Sequence, residues 1–139
     1  MYQIIFYRDK KGLNEVEEYL KVLRNKTDKE SNIKYAKVSG YIEYLSRKGL
    51  KIGMPYIKHI SKDLWELRPL KDRIFFGVLE DNNFVILNRF VKSTKKTPKS
   101  EIIQATKLLK RYKEEMDNEK KTKWKGYYNY MGRIKKRIK

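Results

Sequence analysis

Residues Leu64–Glu101, LWELRPLKDRIFFGVLEDNNFVILNRFVKSTKKTPKSE, decide how the rest of the chain is read. Trp65/Leu67, Ile74/Phe76/Val78 and Val85/Leu87/Val91 alternate with other residues, the period of strands that are apolar on one face. The stretch therefore reads as a three-stranded meander with two tight turns, followed by a lysine-rich loop and a helix. Thr97-Pro98 predicts the helix start: a hydroxyl cap, then proline at the first helical position, with Glu101 in the first turn.

Turn lengths give the register. With Pro69–Asp72 as a four-residue loop, Arg68 sits across from Arg73. With Glu80–Asn83 as the next, Phe75 faces Asn88 and Arg73 faces Phe90. The non-core face then carries Glu66, Arg68, Arg73, Phe75, Asn88 and Phe90, with Lys92 just beyond. Two opposed guanidiniums are unfavourable unless something anionic lies between them. One reading is a phosphate site, where Arg68 and Arg73 supply planar bidentate donors and Phe75 and Phe90 offer stacking surfaces for bases. The other is a solvated face, with Arg68 paired to Glu66 or Asp72. A one-residue slip in register decides between them.

Lys92, Lys95, Lys96 and Lys99 lie on the loop into that helix, whose N-terminal amides also favour an anion. Alone they read as exposed surface; beside the arginines they form the wall of an RNA groove. Lys58 and His59 precede the meander. His59 reads either as a proton shuttle, its ordinary pKa lying near neutrality, or as a structural loop histidine.

Outward from the meander, Tyr2–Tyr7 reads as a strand, and Leu13, Val16, Leu20 and Leu23 mark a helix over about 14–25 capped by Asn14 with Glu17. A second helix is predicted over about 29–48, with Gly40 weakening its middle and Gly49 ending it. Leu50–Lys62 reads as loop or irregular chain. The final helix is expected to end near Asp117, giving a domain over 1–117 and a basic, aromatic tail over 118–139 built around Trp124, Tyr127, Tyr128 and Tyr130.

The 139 residues suit one domain, and a formal net charge of +18 points to a polyanionic partner, nucleic acid or an acidic protein. Absence of cysteine removes disulfides, thiolate zinc sites and cysteine nucleophiles, and a single histidine excludes a multi-histidine metal site. No stretch approaches a membrane span, so a cytoplasmic protein is expected. Neither G-x-x-x-x-G-K-[ST] nor G-x-G-x-x-G occurs, and no carboxylate pair has catalytic spacing.

Pro55-x-x-Lys58, Leu64-Trp65-Glu66-Leu67-Arg68, Asp72-Arg73 before an apolar strand, and Phe90-x-Lys92-x-x-x-Lys96-Thr97-Pro98-x-x-Glu101-Ile102 together resemble the phage-derived, HigB-type branch of the RelE/ParE toxin superfamily. The resemblance spans roughly residues 2–115. It implies an α/β (α+β) RelE-like fold: an N-terminal strand and two helices, an antiparallel meander and a C-terminal helix. It also implies the toxin of a type II toxin–antitoxin system, an mRNA endoribonuclease acting in the ribosomal A site and neutralised by a helix-turn-helix, HigA-like antitoxin. Operator DNA would be met only through that antitoxin. By position, Arg73 resembles the family's strand arginine, Arg68 the one before the hairpin, and Lys92 and Lys95 the basic residues after the last strand. Lys58 and His59 fall in the loop that supplies further basic or acid–base groups. The last strand ends Asn88-Arg89-Phe90, where many relatives have aromatic or histidine-rich endings.

The implied reaction needs no metal or cofactor. The 2′-hydroxyl attacks its adjacent phosphate, Arg68 and Arg73 stabilise the phosphorane, and Lys92, Lys95 or His59 handles protons. Rival readings are a ParE-like gyrase inhibitor on the same fold and a non-catalytic RNA-binding protein.

Overall fold

A computed structural model describes residues 1–138, with side chains through Thr122. The chain divides into two compact units, Met1–Leu109 and Lys110–Lys139.

The first unit begins with β1 (Ile4–Phe6), α1 (Glu15–Asn25) and α2 (Lys29–Lys48). Asn14 caps α1 as its sequence position predicts, its Oδ1 accepting from the N–H groups of Val16 and Glu17. Its Nδ2 donates to the carbonyls of Tyr7, Ile86 and Leu87, which pins the helix start to the sheet. Asp28 caps α2 through Ser31 N–H, and the helix runs unbroken through Gly40. A 3-10 turn (Gly49–Ile52) follows. Next come β2 (Ile57–Ser61), β3 (Leu64–Leu67), β4 (Asp72–Val78), β5 (Phe84–Val91) and α3 (Lys99–Ile138).

The expected meander is β3–β4–β5, and it is the centre of a five-stranded mixed sheet ordered β1-β5-β4-β3-β2. β1 adds at one edge, parallel to β5. β2 adds at the other, antiparallel to β3, in chain that the sequence reads as irregular. Of its five residues only Ile57 is buried, so this edge strand lacks the alternation that would reveal it.

Helices α1 and α2 cover one sheet face, where Val16, Val38, Ile42 and Leu45 pack with Leu67, Ile74, Phe76, Phe84 and Ile86. The sequence assigns Val85, Leu87 and Val91 to this face; β5 instead presents Phe84 and Ile86. The cause is the β4–β5 turn. Leu79 N–H bonds to Asn83 O, and Asn82 sits at φ +62°, so the loop has three residues rather than four. A shift of one residue moves every side chain to the opposite face. Val85 and Leu87 are buried on the second face, whereas Val91 is 57% exposed.

A β-bulge then restores the expected pairing. Between Ile74↔Arg89 and Phe76↔Ile86, the two residues Leu87 and Asn88 face Phe75 alone, and beyond it Arg73 meets Phe90 as predicted. The short loop and the bulge cancel at the arginine end of the sheet.

The second face is also covered. Ala105 and Leu109 of α3 are buried, and a Cβ on Gly77 would lie 2.3 Å from Leu109 Cδ1. An alanine methyl at this position would force the Leu109 side chain to shift. Gly77→Ala is expected to cost about 1–3 kcal/mol by overpacking. Leu109→Ala in the same chain should return part of that loss, read as a less-than-additive change in the urea midpoint.

α3 continues past the expected end near Asp117 to Ile138. The side chains of Trp124, Tyr127, Tyr128 and Tyr130 lie outside the described residues. Among the described residues, no helix is long and apolar enough to cross a membrane.

Candidate functional site

The second face gathers most of the predicted residues at the β3–β4 turn and the end of β5. Strand pairing aligns Lys58, Glu66 and Phe75 in one row across β2, β3 and β4. Leu67 pairs with Ile74, so the next step along the ladder brings Arg68 beside Arg73, which itself pairs with Phe90.

Arg73 is 7% exposed, and its Nη1 donates to the carbonyls of Leu70 (2.9 Å) and Asp72 (2.8 Å). Leu70 holds φ +55°, a left-handed conformation that costs a leucine about 1–2 kcal/mol. That strained turn aims its carbonyl at the guanidinium, which leaves Nε and Nη2 for a ligand. Burial pulls the Arg73 pKa below its ordinary value, and the positive charge of Arg68 adds to the shift, while Glu66 and Asp72 oppose it.

Arg68 is anchored by its backbone N–H to Tyr56 O. Its Nη1 lies 3.6 Å from Met54 Sδ, and its Nε is 3.7 Å from Glu66 Oε2. That separation is an ion pair but not a hydrogen bond, and Arg68 Nε is buried with no acceptor. Asn88 Oδ1, at the bulge beside Phe75, is likewise buried without a donor. Two guanidiniums side by side, one with a buried N–H that lacks an acceptor, repel one another unless an anion lies between them.

Phe75 and Phe90 stack with centroids 5.6 Å apart and planes 28° from parallel. Phe75 is fully buried, so it offers no open stacking surface for a base. This corrects the sequence reading. Periodicity places Phe75 on a bare face, but that face is packed and Phe90 lies on the ring; only the half-buried Phe90 retains an accessible surface.

The lysine loop is fastened to the sheet at both ends. Lys92 N–H bonds to Lys71 O, and Thr97 Oγ1 donates to Glu66 Oε1 at 2.9 Å. Thr97 therefore spends its hydroxyl on the sheet rather than capping α3, whose first helical acceptor is the Pro98 carbonyl. Lys92 is half-buried, whereas Lys95, Lys96 and Lys99 are exposed, as is Lys58.

His59 is not brought to the arginines. It pairs with Trp65, one position along from the Lys58–Glu66 row, and so projects from the opposite face. Its ring meets Trp65 edge-on at 4.9 Å, and Nε2 lies 2.8 Å from Lys62 O.

One polar cluster escapes sequence reasoning. On the α1/α2 face, Asp72 accepts from Tyr19 Oη (2.8 Å) and Arg89 Nη2 (2.9 Å), with the Arg89 guanidinium 3.5 Å above the Tyr19 ring. The available signal is parity: the pairing of Arg89 with Ile74 puts a charged residue on the core face. Burial, with the hydrogen bond to Asp72, pushes the Tyr19 hydroxyl from 10.0 up to about 12. Neutral Tyr19 is the form the fold favours. The stability it contributes should be complete below pH 10 and lost as pH rises toward 12. Alkaline titration of tyrosinate absorbance, compared with Tyr19→Phe, checks this.

The sequence model of the family described as "Phage derived protein Gp49-like (DUF891)" matches residues 19–110, about two thirds of the chain. That span holds the whole arginine face and the lysine loop. No curated protein matches the chain.

Proposed function

The chain belongs to the Gp49-like family of phage-derived proteins, which are RelE- and toxin-like, and from that premise we propose that it is the toxin of a type II toxin–antitoxin pair, of the HigB kind. Its activity in this reading is endonucleolytic cleavage of mRNA on the ribosome, which stops translation. The observation that carries it is the buried Arg73 beside the half-buried Arg68, whose Nε is buried without an acceptor.

The scissile phosphate sits between the two guanidiniums. The adjacent 2′-hydroxyl attacks phosphorus, the bond to the 5′-oxygen breaks, and the products are a 2′,3′-cyclic phosphate and a 5′-hydroxyl. Arg68 and Arg73 bind more strongly as charge builds on the phosphorane oxygens, each donor contributing on the order of 2–4 kcal/mol. Lys92 and Lys95, on the loop beside the arginines, move the protons in preference to His59, which projects from the other face. The half-buried Phe90 stacks a neighbouring base. Lys58, Lys96 and Lys99 line the RNA path, and the ribosome aligns the message. A helix-turn-helix antitoxin neutralises the toxin in the cytoplasm, and the net charge of +18 suits either an RNA or an acidic partner.

The test is induction of wild type and Arg73→Ala in growing cells, with mRNA 5′ ends mapped and DNA supercoiling assayed. New 5′ ends that depend on Arg73 are expected, with supercoiling unchanged. Growth arrest with intact mRNA and altered supercoiling would instead identify a gyrase inhibitor.

A further inference from the structure

Glu66 is a carboxylate in the middle of a face otherwise suited to anions, and it is 1% exposed. A buried acid beside a phosphate site is counterproductive unless it has structural work to do there. Its partners define that work. Oε1 accepts from Thr97, the last residue of the lysine loop before Pro98 and α3, and Oε2 lies 3.7 Å from Arg68 Nε. Glu66 also stands next to the exposed Lys58 in the β2–β3 ladder, and its charge opposes the lowering of the Arg73 pKa by burial and by Arg68.

We infer that Glu66 is the positioning residue of this face: one carboxylate oxygen clasps the lysine loop through Thr97, and the other steadies Arg68. The loop is thereby held over the guanidiniums at its far end, as the Lys92–Lys71 backbone bond holds it at its near end. Glu66 itself touches no RNA. The inference rests on the phosphate reading for its purpose, but the clasp is a separate physical claim.

The experiment uses the full chain as wild type, Thr97→Val, Thr97→Ser, Glu66→Met and the Glu66→Met/Thr97→Val double variant. Methionine fills the buried volume without accepting a hydrogen bond, and thermal melts identify any variant that fails to fold. The probe is a short 2′-O-methyl oligoribonucleotide, which cannot be cleaved, titrated over a range of salt concentrations. The second readout is the rate of tryptic cutting after Lys95 and Lys96.

Thr97→Val, which leaves net charge unchanged, should weaken binding by about three- to tenfold. It should also lower the slope of log affinity against log salt by about 0.7 for each phosphate that the loop no longer neutralises. Thr97→Ser keeps the hydroxyl and should behave as wild type. On Glu66→Met, the valine should add nothing to either readout, because the clasp is already open. A folded Thr97→Val chain with wild-type slope and wild-type tryptic rate overturns the inference, as do fully additive effects of the two substitutions. If wild type itself binds no RNA, the phosphate reading fails, and the tryptic rates alone decide the clasp.

Discussion

Arg73→Lys is expected to lower RNA cleavage by about 10²–10³-fold while leaving the fold intact, although it preserves the charge. The reason is the division of labour within one guanidinium. Nη1 is committed to the Leu70 and Asp72 carbonyls, and that commitment fixes the plane in which Nε and Nη2 would meet a phosphate. An ammonium has no fork. It can satisfy the two carbonyls or reach the phosphate, and it lies in a site where burial and Arg68 already disfavour the cation. Single-turnover cleavage by the purified variant measures the loss. A reduction below about threefold would mean that Arg73 acts as a point charge or not at all.

The arginine site is legible in the sequence because it depends on a single turn. Pro69–Asp72 separates Arg68 from Arg73, and Asp72 N–H bonded to Pro69 O is that turn as read from sequence. Less visible features depend on chain that is distant in sequence. Asp81-Asn82-Asn83 is a run of residues that tolerate a left-handed conformation, but it does not say which of them takes it, and it is Asn82 that shortens the hairpin loop. No local signal marks the Leu87–Asn88 bulge that cancels the shift. Periodicity therefore reads the faces of β5 backwards up to Leu87 and correctly from Arg89 onward. It also makes Phe75 an open ring, because it shows that a strand has two faces but not that a helix from much later in the chain covers the second. Thr97 looks like a cap in every local respect; its hydroxyl goes to Glu66, 31 positions earlier, a partner that only the folded chain supplies.

The second large effect is on stability. Asp72→Ala should destabilise the protein by on the order of 3 kcal/mol, more than a surface ion pair could account for. Asp72 is 4% exposed and holds both Tyr19 and Arg89. Its removal takes the paired carboxylate from a guanidinium whose Nε already lacks an acceptor. The tyrosine ring under Arg89 retains part of the stabilisation through cation–π attraction. Asp72→Ala/Arg89→Met should consequently be more stable than Asp72→Ala alone, since it removes the stranded charge. Urea unfolding of these two variants, of Arg89→Met and of wild type reads the difference. A double variant weaker by the sum of its parts would show that Arg89 has a role independent of Asp72.

The most direct measurement supplies ribosomes carrying a defined mRNA to the purified protein and determines both the positions and the chemistry of the new RNA ends. Cuts within the ribosome-bound message that leave 2′,3′-cyclic phosphates and 5′-hydroxyls are expected, and they should disappear in Arg68→Ala/Arg73→Ala. An uncut message with wild type, or undiminished cutting by the double variant, would contradict RNA cleavage at the arginine pair.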